Sequence, residues 1–146
     1  MTLQRSRSAG YMTNWAARLF ARAIDRRLKP LGISSGQLPV FFALGGGAAL
    51  SQRALTEVAA IEQPTMAATL ARMERDGLVE KRPDPDDRRS TLVSLTPAAM
   101  EKARAVREAI DGVNATALSA LAPAEQAAYL DMLAKIIAAL DGAEGN

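Results

Sequence analysis

The sequence predicts a mainly α-helical fold with one small antiparallel β-wing, and three observations on its 146 residues predict it. Residues 51–76 read as two short helices joined by a tight turn. Residues 78–95 read as two short strands around a charged turn. The flanking stretches, 11–29 and 97 onward, repeat apolar residues every three or four positions, the period of amphipathic helices. The prediction is a winged helix-turn-helix lobe over 34–96, with an N-terminal arm and helix over 1–33 and two C-terminal helices over 97–146. Both flanks are read as dimerisation segments.

Residues 1–9 are short, polar and basic, and are expected to be disordered. A helix follows from Tyr11 to Lys29, with Met12, Trp15, Leu19 or Phe20, Ala23, Ile24 and Leu28 at helical spacing. Pro30 and Gly32 stop it. Its apolar stripe is broad for a terminal helix and calls for a partner surface, which a second subunit can supply. Ser34 or Ser35 caps the next helix, which runs to about Leu44 with Leu38, Val40, Phe41, Phe42 and Leu44 as its apolar residues. Gly45-Gly46-Gly47 then breaks the chain. A phosphate-cradling loop would require a following Lys-Ser/Thr or a G-x-G-x-x-G unit, and neither is present, so the triplet is a loop.

Ser51 caps the third helix, with Leu55, Val58 and Ala59 as its core residues. After the turn Ala60–Gln63, a fourth helix begins near Pro64, where the amide proton that proline lacks would have had no partner. It closes at Asp76-Gly77, since glycine tolerates the left-handed backbone of a helix end. Met66, Leu70 and Met73 fall on one buried face; Thr65, Ala68, Arg72 and Arg75, all small or basic, fall on the other. A helix of that character after a short helix-turn unit suits a DNA major groove.

Beyond Gly77 the period changes. Residues 78–82 and 90–95 are mixed apolar and β-branched, as short strands are. Between them, residues 83–89 (PDPDDRR) are rich in proline and aspartate and are read as a turn. Two strands around a projecting basic loop make a wing. Thr96 and Pro97 then open a long helix to about Ala122, with Ala99, Ala103, Val106 and Ile110 on one face and Gly112 as a possible bend. Pro123 opens the last helix, where Leu130, Leu133, Ile137 and Leu140 form a narrow seam of the kind used between packed helices.

Composition excludes more than it assigns. Hydrophobic residues at 49% suffice for a core, and a net charge of +2 argues for no particular partner. Its distribution says more: residues 1–29 carry Arg5, Arg7, Arg18, Arg22, Arg26, Arg27 and Lys29 against the single acid Asp25. With no cysteine and no histidine, there are no disulfides, thiol nucleophiles, Cys/His metal sites or histidine acid–base chemistry. No cofactor and no metal is expected. Residues 1–10 lack the apolar core of a signal peptide, and the apolar stretch 38–50, within the uncharged run 30–52, is too short and too rich in glycine to span a bilayer, so the reading is cytoplasmic with no membrane contact.

The run DGLVEKRPDPDDRRSTLVSLT, preceded by QPTMAATLARME, resembles the MarR family of winged helix-turn-helix transcription regulators. The resemblance extends over nearly the whole chain, and the D-P-D-D-R-R wing followed by S-L-T is its most specific part. It implies a homodimer on a pseudo-palindromic operator in double-stranded DNA, most often a repressor, released by a small aromatic or phenolic effector. It further implies that Arg89, aligned through Ser94-Leu95-Thr96, enters the minor groove, with Asp87 two positions before it and Arg88 beside it. A narrow groove concentrates negative potential and attracts guanidinium, and a nearby carboxylate can hold the side chain. The absence of cysteine excludes an oxidation sensor, and a zinc sensor built on histidine and cysteine is excluded in the same way.

Around that wing, Gln63, Thr65 and Ala68 stand in the first turns of the presumed recognition helix, within reach of base edges. Family members often carry a large basic or polar residue near the position of Ala68, so this chain is expected to lean more on groove shape. Ser51, Arg53, Arg72 and Arg75 are cast as phosphate contacts; Arg72 has an alternative partner in Asp86 or Asp87. Tyr11, Trp15 and Phe41, with Arg18, are candidates for an aromatic-acid pocket, against the plainer reading of core or interface aromatics. The alternative function is a winged-helix protein-interaction module without specific DNA binding, which would need neither an arginine-tipped wing nor a small-residue helix face. An enzyme is the remote third class, as no catalytic constellation is present.

Overall fold

A computed structural model describes residues 2–144. Its secondary structure is six α-helices and three strands: α1 (Ala9–Leu28), α2 (Leu38–Leu44), β1 (Leu50–Ser51), α3 (Gln52–Ala59), α4 (Gln63–Arg75), β2 (Val79–Asp84), β3 (Asp87–Leu95), α5 (Pro97–Leu118) and α6 (Pro123–Glu144). Two compact units emerge, one reaching Ile110 and the other starting at Asp111. The core of the first draws on every helix from α1 to α5, with Leu28, Leu44, Leu55, Met66, Leu70 and Met73 wholly buried.

The N-terminal residues are more ordered than expected. Arg5–Arg7 form a 3-10 turn, and the Ser8 hydroxyl caps α1 by accepting the Tyr11 N–H at 3.2 Å. The Arg5 guanidinium lies 4.7 Å from the centre of the Trp15 ring. A cation over an indole face is attracted by the ring quadrupole, and no apolar periodicity in residues 1–9 could announce such a contact. Past α1, Pro30 sits in a 3-10 turn and Gly32 closes it at φ +71°. A second 3-10 turn, Ser35–Gln37, leads into α2. The Gln37 Oε1 accepts the Ser34 N–H at 3.1 Å, which anchors that entry.

Ser51 caps α3 as expected, its Oγ accepting the Ala54 N–H at 3.1 Å. Val58 departs from expectation: it is 65% exposed. A two-turn helix buries one stripe, and here Leu55 takes it, with Ala59 packed beside it against the core. Phe42 on α2 is likewise turned outward. The fourth helix starts at Gln63, with Pro64 in its first turn as expected. Met66, Leu70 and Met73 are buried as read; Thr69 joins them, its hydroxyl donating to the Thr65 carbonyl at 2.8 Å. That bond lets a polar residue occupy the buried face without cost to its hydrogen bonding.

Gly77, at φ +74°, ends α4, and the Leu78 N–H returns to the Met73 carbonyl at 2.8 Å. An L-residue with a side chain is strained there even though the space around it is open. Gly77→Ala is therefore expected to lower stability by about 1–2 kcal/mol, read as a drop in the urea midpoint at unchanged slope. An unchanged midpoint would show that the turn relaxes into another conformation.

The wing differs most from the reading. Its turn is only Pro85-Asp86, and the strands extend to Asp84 and from Asp87, so Arg88 and Arg89 stand on β3 and not in a seven-residue loop. Backbone pairing extends where side chains are too polar to signal a strand. Pro83, opposite Thr91, is accommodated because the sheet order β1-β3-β2 puts β2 at an edge, where a missing donor is tolerated. The two-residue β1, which pairs Leu50 with Val93 and Ser51 with Leu92, is too short to read from sequence.

α5 starts at Pro97 under the Thr96 cap, runs through Gly112 and ends at Leu118, four residues short of Ala122. In the second unit, Gln126 Nε2 donates to the Leu118 and Leu121 carbonyls, which ties the end of α5 to the start of α6. On α6, Leu130, Ile137 and Leu140 of the expected seam are exposed, and Leu133 is half-buried. No helix among the described residues is long and apolar enough to cross a membrane.

Candidate nucleic-acid interface

The buried face of α4 aims its other face. With Met66, Thr69, Leu70 and Met73 held in the core, Thr65, Ala68, Arg72 and Arg75 are left exposed on one side. α3 packs against α4, and the side chains at their start are linked: Gln52 Nε2 donates to Gln63 Oε1 at 3.3 Å. Gln63 is thus partly engaged before any ligand arrives. Gln52 was not singled out from the sequence; a lone glutamine after a capping serine carries no signal of this link.

The cations of this surface are unevenly engaged. Arg53 pairs with Glu57 at 3.6 Å and Arg75 with Asp76 at 3.6 Å, but all four side chains are well exposed. Exposed pairs of this kind contribute little and yield readily to a stronger anion. Arg72 makes no ion pair among the described residues, so neither Asp86 nor Asp87 has taken it. Lys81 of β2 reaches Glu74 of α4 at 3.9 Å and links wing to helix. Ser51 spends its hydroxyl on the helix cap.

At the wing, Asp87 acts differently from expectation. Its Oδ1 accepts the backbone N–H of Arg89 at 3.0 Å, so it shapes the strand entry and does not hold the guanidinium. Asp84 does the same for the Asp86 N–H at 2.9 Å. These carboxylates build the tip, and the Arg88 and Arg89 side chains extend from it into solvent. The pairing of β2 with β3 shifts register between Pro83 and Asp84, so Arg88 and Arg89 stand on an irregular part of β3, both exposed. Such an arrangement can offer guanidinium groups to a polyanion from two elements, a helix and a wing.

The four residues read as an aromatic-acid pocket are placed unequally. Tyr11 and Trp15 meet edge to face, with ring centroids 6.5 Å apart, and Arg18 is exposed one turn further along α1. Phe41 is 6% exposed and belongs to the core. An open pocket of about 350 Å³ lies elsewhere, lined by Asp25, Lys29, Gly32, Ile33, Ser34 and Gln37. Among the described residues, no group of three or more carboxylate, imidazole or thiol side chains is arranged to hold a metal ion.

Comparison with known proteins agrees with this geometry. A family model described as the MarR family matches residues 31–90. The chain is similar to the transcriptional regulator HosA of Escherichia coli O111:H-, at 32% identity over 105 residues, or 72% of this chain and 78% of that one. Among solved structures it is similar to the PcaV transcriptional regulator of Streptomyces coelicolor, determined in complex with its natural ligand. The TM-score is 0.80 at 26% identity, over 96% of this chain and 99% of that one. The DNA complex of MepR from S. aureus matches with TM-score 0.83 at 20% identity, over 90% of this chain and 98% of that one, a likeness of fold alone.

Proposed function

The chain belongs to the MarR family of winged-helix transcription regulators, and from that premise we propose that it is a homodimeric repressor that binds a pseudo-palindromic operator and is released by a small aromatic or phenolic ligand in the cytoplasm. The observation that carries the DNA half is the exposed α4 face, with Arg72 unpaired among the described residues, beside a wing presenting Arg88 and Arg89. In this reading α4 enters the major groove, Thr65, Ala68 and Gln63 reach base edges, and Ser51, Arg53, Arg72 and Arg75 position the phosphates. Arg89 enters the adjoining minor groove.

Residues 34–96 act as the DNA-binding lobe, and 1–33 and 97–146 supply the dimer contacts. Support comes from the apolar side chains that one protomer leaves exposed: Tyr11, Met12 and Leu19 on α1, and Leu130, Met132, Ile136, Ile137 and Leu140 on α6. An apolar row of that extent on a helix marks an interaction surface. The ligand half rests on Tyr11 and Trp15, two aromatic rings in edge contact, with exposed Arg18 one turn further along α1, and on the ligand-bound state of PcaV.

The test is fluorescence anisotropy of the full chain on the DNA upstream of its own gene, at two salt concentrations and with unrelated DNA as competitor. Sedimentation of the same mixture counts protomers per duplex. Competitor-resistant binding by two protomers, weakening steeply with salt as counterions are released, is the expected result. Binding that competitor DNA removes at equal concentration, wherever in the genome the fragment is drawn from, would favour a protein-interaction module.

A further inference from the structure

Asp25 on α1 and Lys29, which caps the end of that helix, are four residues apart, the spacing at which opposite charges on a helix commonly pair. They do not pair; no ion pair joins either of them to another described residue. Both instead line the open pocket of about 350 Å³ between the end of α1 and the entry to α2. Asp25 commits one oxygen, Oδ1, to the Ser35 N–H at 2.6 Å, and Oδ2 has no hydrogen-bond partner among the described residues. Gln37, only 9% exposed, is fixed through its Oε1 by the Ser34 N–H, while its Nε2 donates to no described residue. Ile33, 5% exposed, supplies an apolar wall.

The pocket therefore combines an ammonium, a fixed amide donor, a half-used carboxylate and an apolar surface. A simple anion placed there meets Asp25, and a simple cation meets Lys29. A dipolar ligand satisfies both, through charge-assisted hydrogen bonds that are stronger than neutral ones. We propose that this pocket binds a free amino acid: its carboxylate on Lys29 and the Gln37 amide, its ammonium on Asp25, and its side chain against Ile33. The volume is within the range of small-molecule sites.

Occupancy would be felt by the DNA-facing helix. The 3-10 turn that carries Gln37 touches both α1 and α4. A ligand bridging Asp25 and Gln37 clamps that turn to α1 and so favours one placement of α4 over others. This second step rests on the DNA-binding reading; the binding step does not.

The experiment is thermal unfolding and calorimetric titration of the full chain with each proteinogenic amino acid at about 10 mM, a concentration that raises Tm for any ligand bound in the millimolar range or tighter. Wild type is compared with Asp25→Asn, Lys29→Met and Arg89→Ala. Asn keeps an oxygen for the Ser35 N–H and removes the charge, and Met keeps the apolar stem of lysine. Unliganded Tm and circular dichroism establish that each variant is folded. At least one amino acid is expected to raise the wild-type Tm. Its affinity should fall about tenfold or more in Asp25→Asn and in Lys29→Met, the size of a lost hydrogen bond to a charged group.

The methyl ester and the N-acetyl form of that amino acid, each lacking one of the two charges, should not bind. Arg89→Ala should keep the full shift, which separates this site from DNA binding. The proposal is overturned if no amino acid changes Tm, if both pocket variants bind as wild type does, or if the N-acetyl form binds equally well and the site proves to bind any carboxylate.

Discussion

Leu70→Ala is expected to cost about 2–5 kcal/mol of stability, the range for removing a buried leucine side chain from a well-packed core. Leu70 is wholly buried on α4, in a core with Met66, Met73 and Leu55 and with side chains of α1, α2 and α5. α4 packs against α3, β2 and the 3-10 turn Ser35–Gln37, so collapse to fill a cavity on its buried face would require more than one element to move. Since a domain of this size holds roughly 5–15 kcal/mol in total, a loss of that order is a large share. Urea denaturation followed by circular dichroism reads it as a lower midpoint with the slope unchanged. A loss under about 1 kcal/mol, the size expected of a surface change, would mean that α4 is not seated as described. The functional consequence follows from the same contact: the buried face of α4 sets the direction of Arg72 and Thr65, so a loosened seat should weaken specific DNA binding more than non-specific binding.

Much of this arrangement was legible in the sequence, and the reasons differ by element. Met66, Leu70 and Met73 announced α4 because a helix half sunk in a core must repeat its apolar residues. Ser51, Thr96, Pro97 and Gly77 announced boundaries because capping and left-handed turns admit few residue types. The outer wing was not legible. Between residues 83 and 90 the strands are held by an irregular backbone pairing and two carboxylate-to-backbone hydrogen bonds, with polar side chains throughout, so composition suggested a loop seven residues long where two suffice. Val58 misled for the opposite reason: its apolar side chain has helical spacing but lies outside the single stripe that so short a helix can bury. Partnerships between residues distant in sequence, such as Gln52 with Gln63 or Lys102 Nζ with the Leu31 carbonyl at 2.9 Å, leave no mark in local pattern at all.

The same limit bears on the wing arginine. The family resemblance set Asp87 beside Arg89 as a carboxylate that can hold its side chain; the structure has it accepting the Arg89 backbone N–H, which leaves the guanidinium without a partner among the described residues. Arg89→Ala is expected to weaken binding to the operator by about ten- to a hundredfold, the scale of one well-placed groove contact, and to reduce the salt slope by about one. Its fold should be unaffected, as the residue is exposed. Asp87→Asn separates the two roles of the carboxylate. The amide oxygen can still accept the Arg89 N–H, so if Asp87 only shapes the tip, affinity should stay within about threefold of wild type, in line with a surface change. Asp87→Ala, which removes the acceptor, should fall between Asn and Arg89→Ala. Should Asp87→Asn instead lose as much as Arg89→Ala, the carboxylate charge must turn to the guanidinium once DNA is bound, and the wing would be reordered by its own ligand. Anisotropy titrations of the three variants on one operator fragment decide between a tip built in advance and a tip completed on DNA.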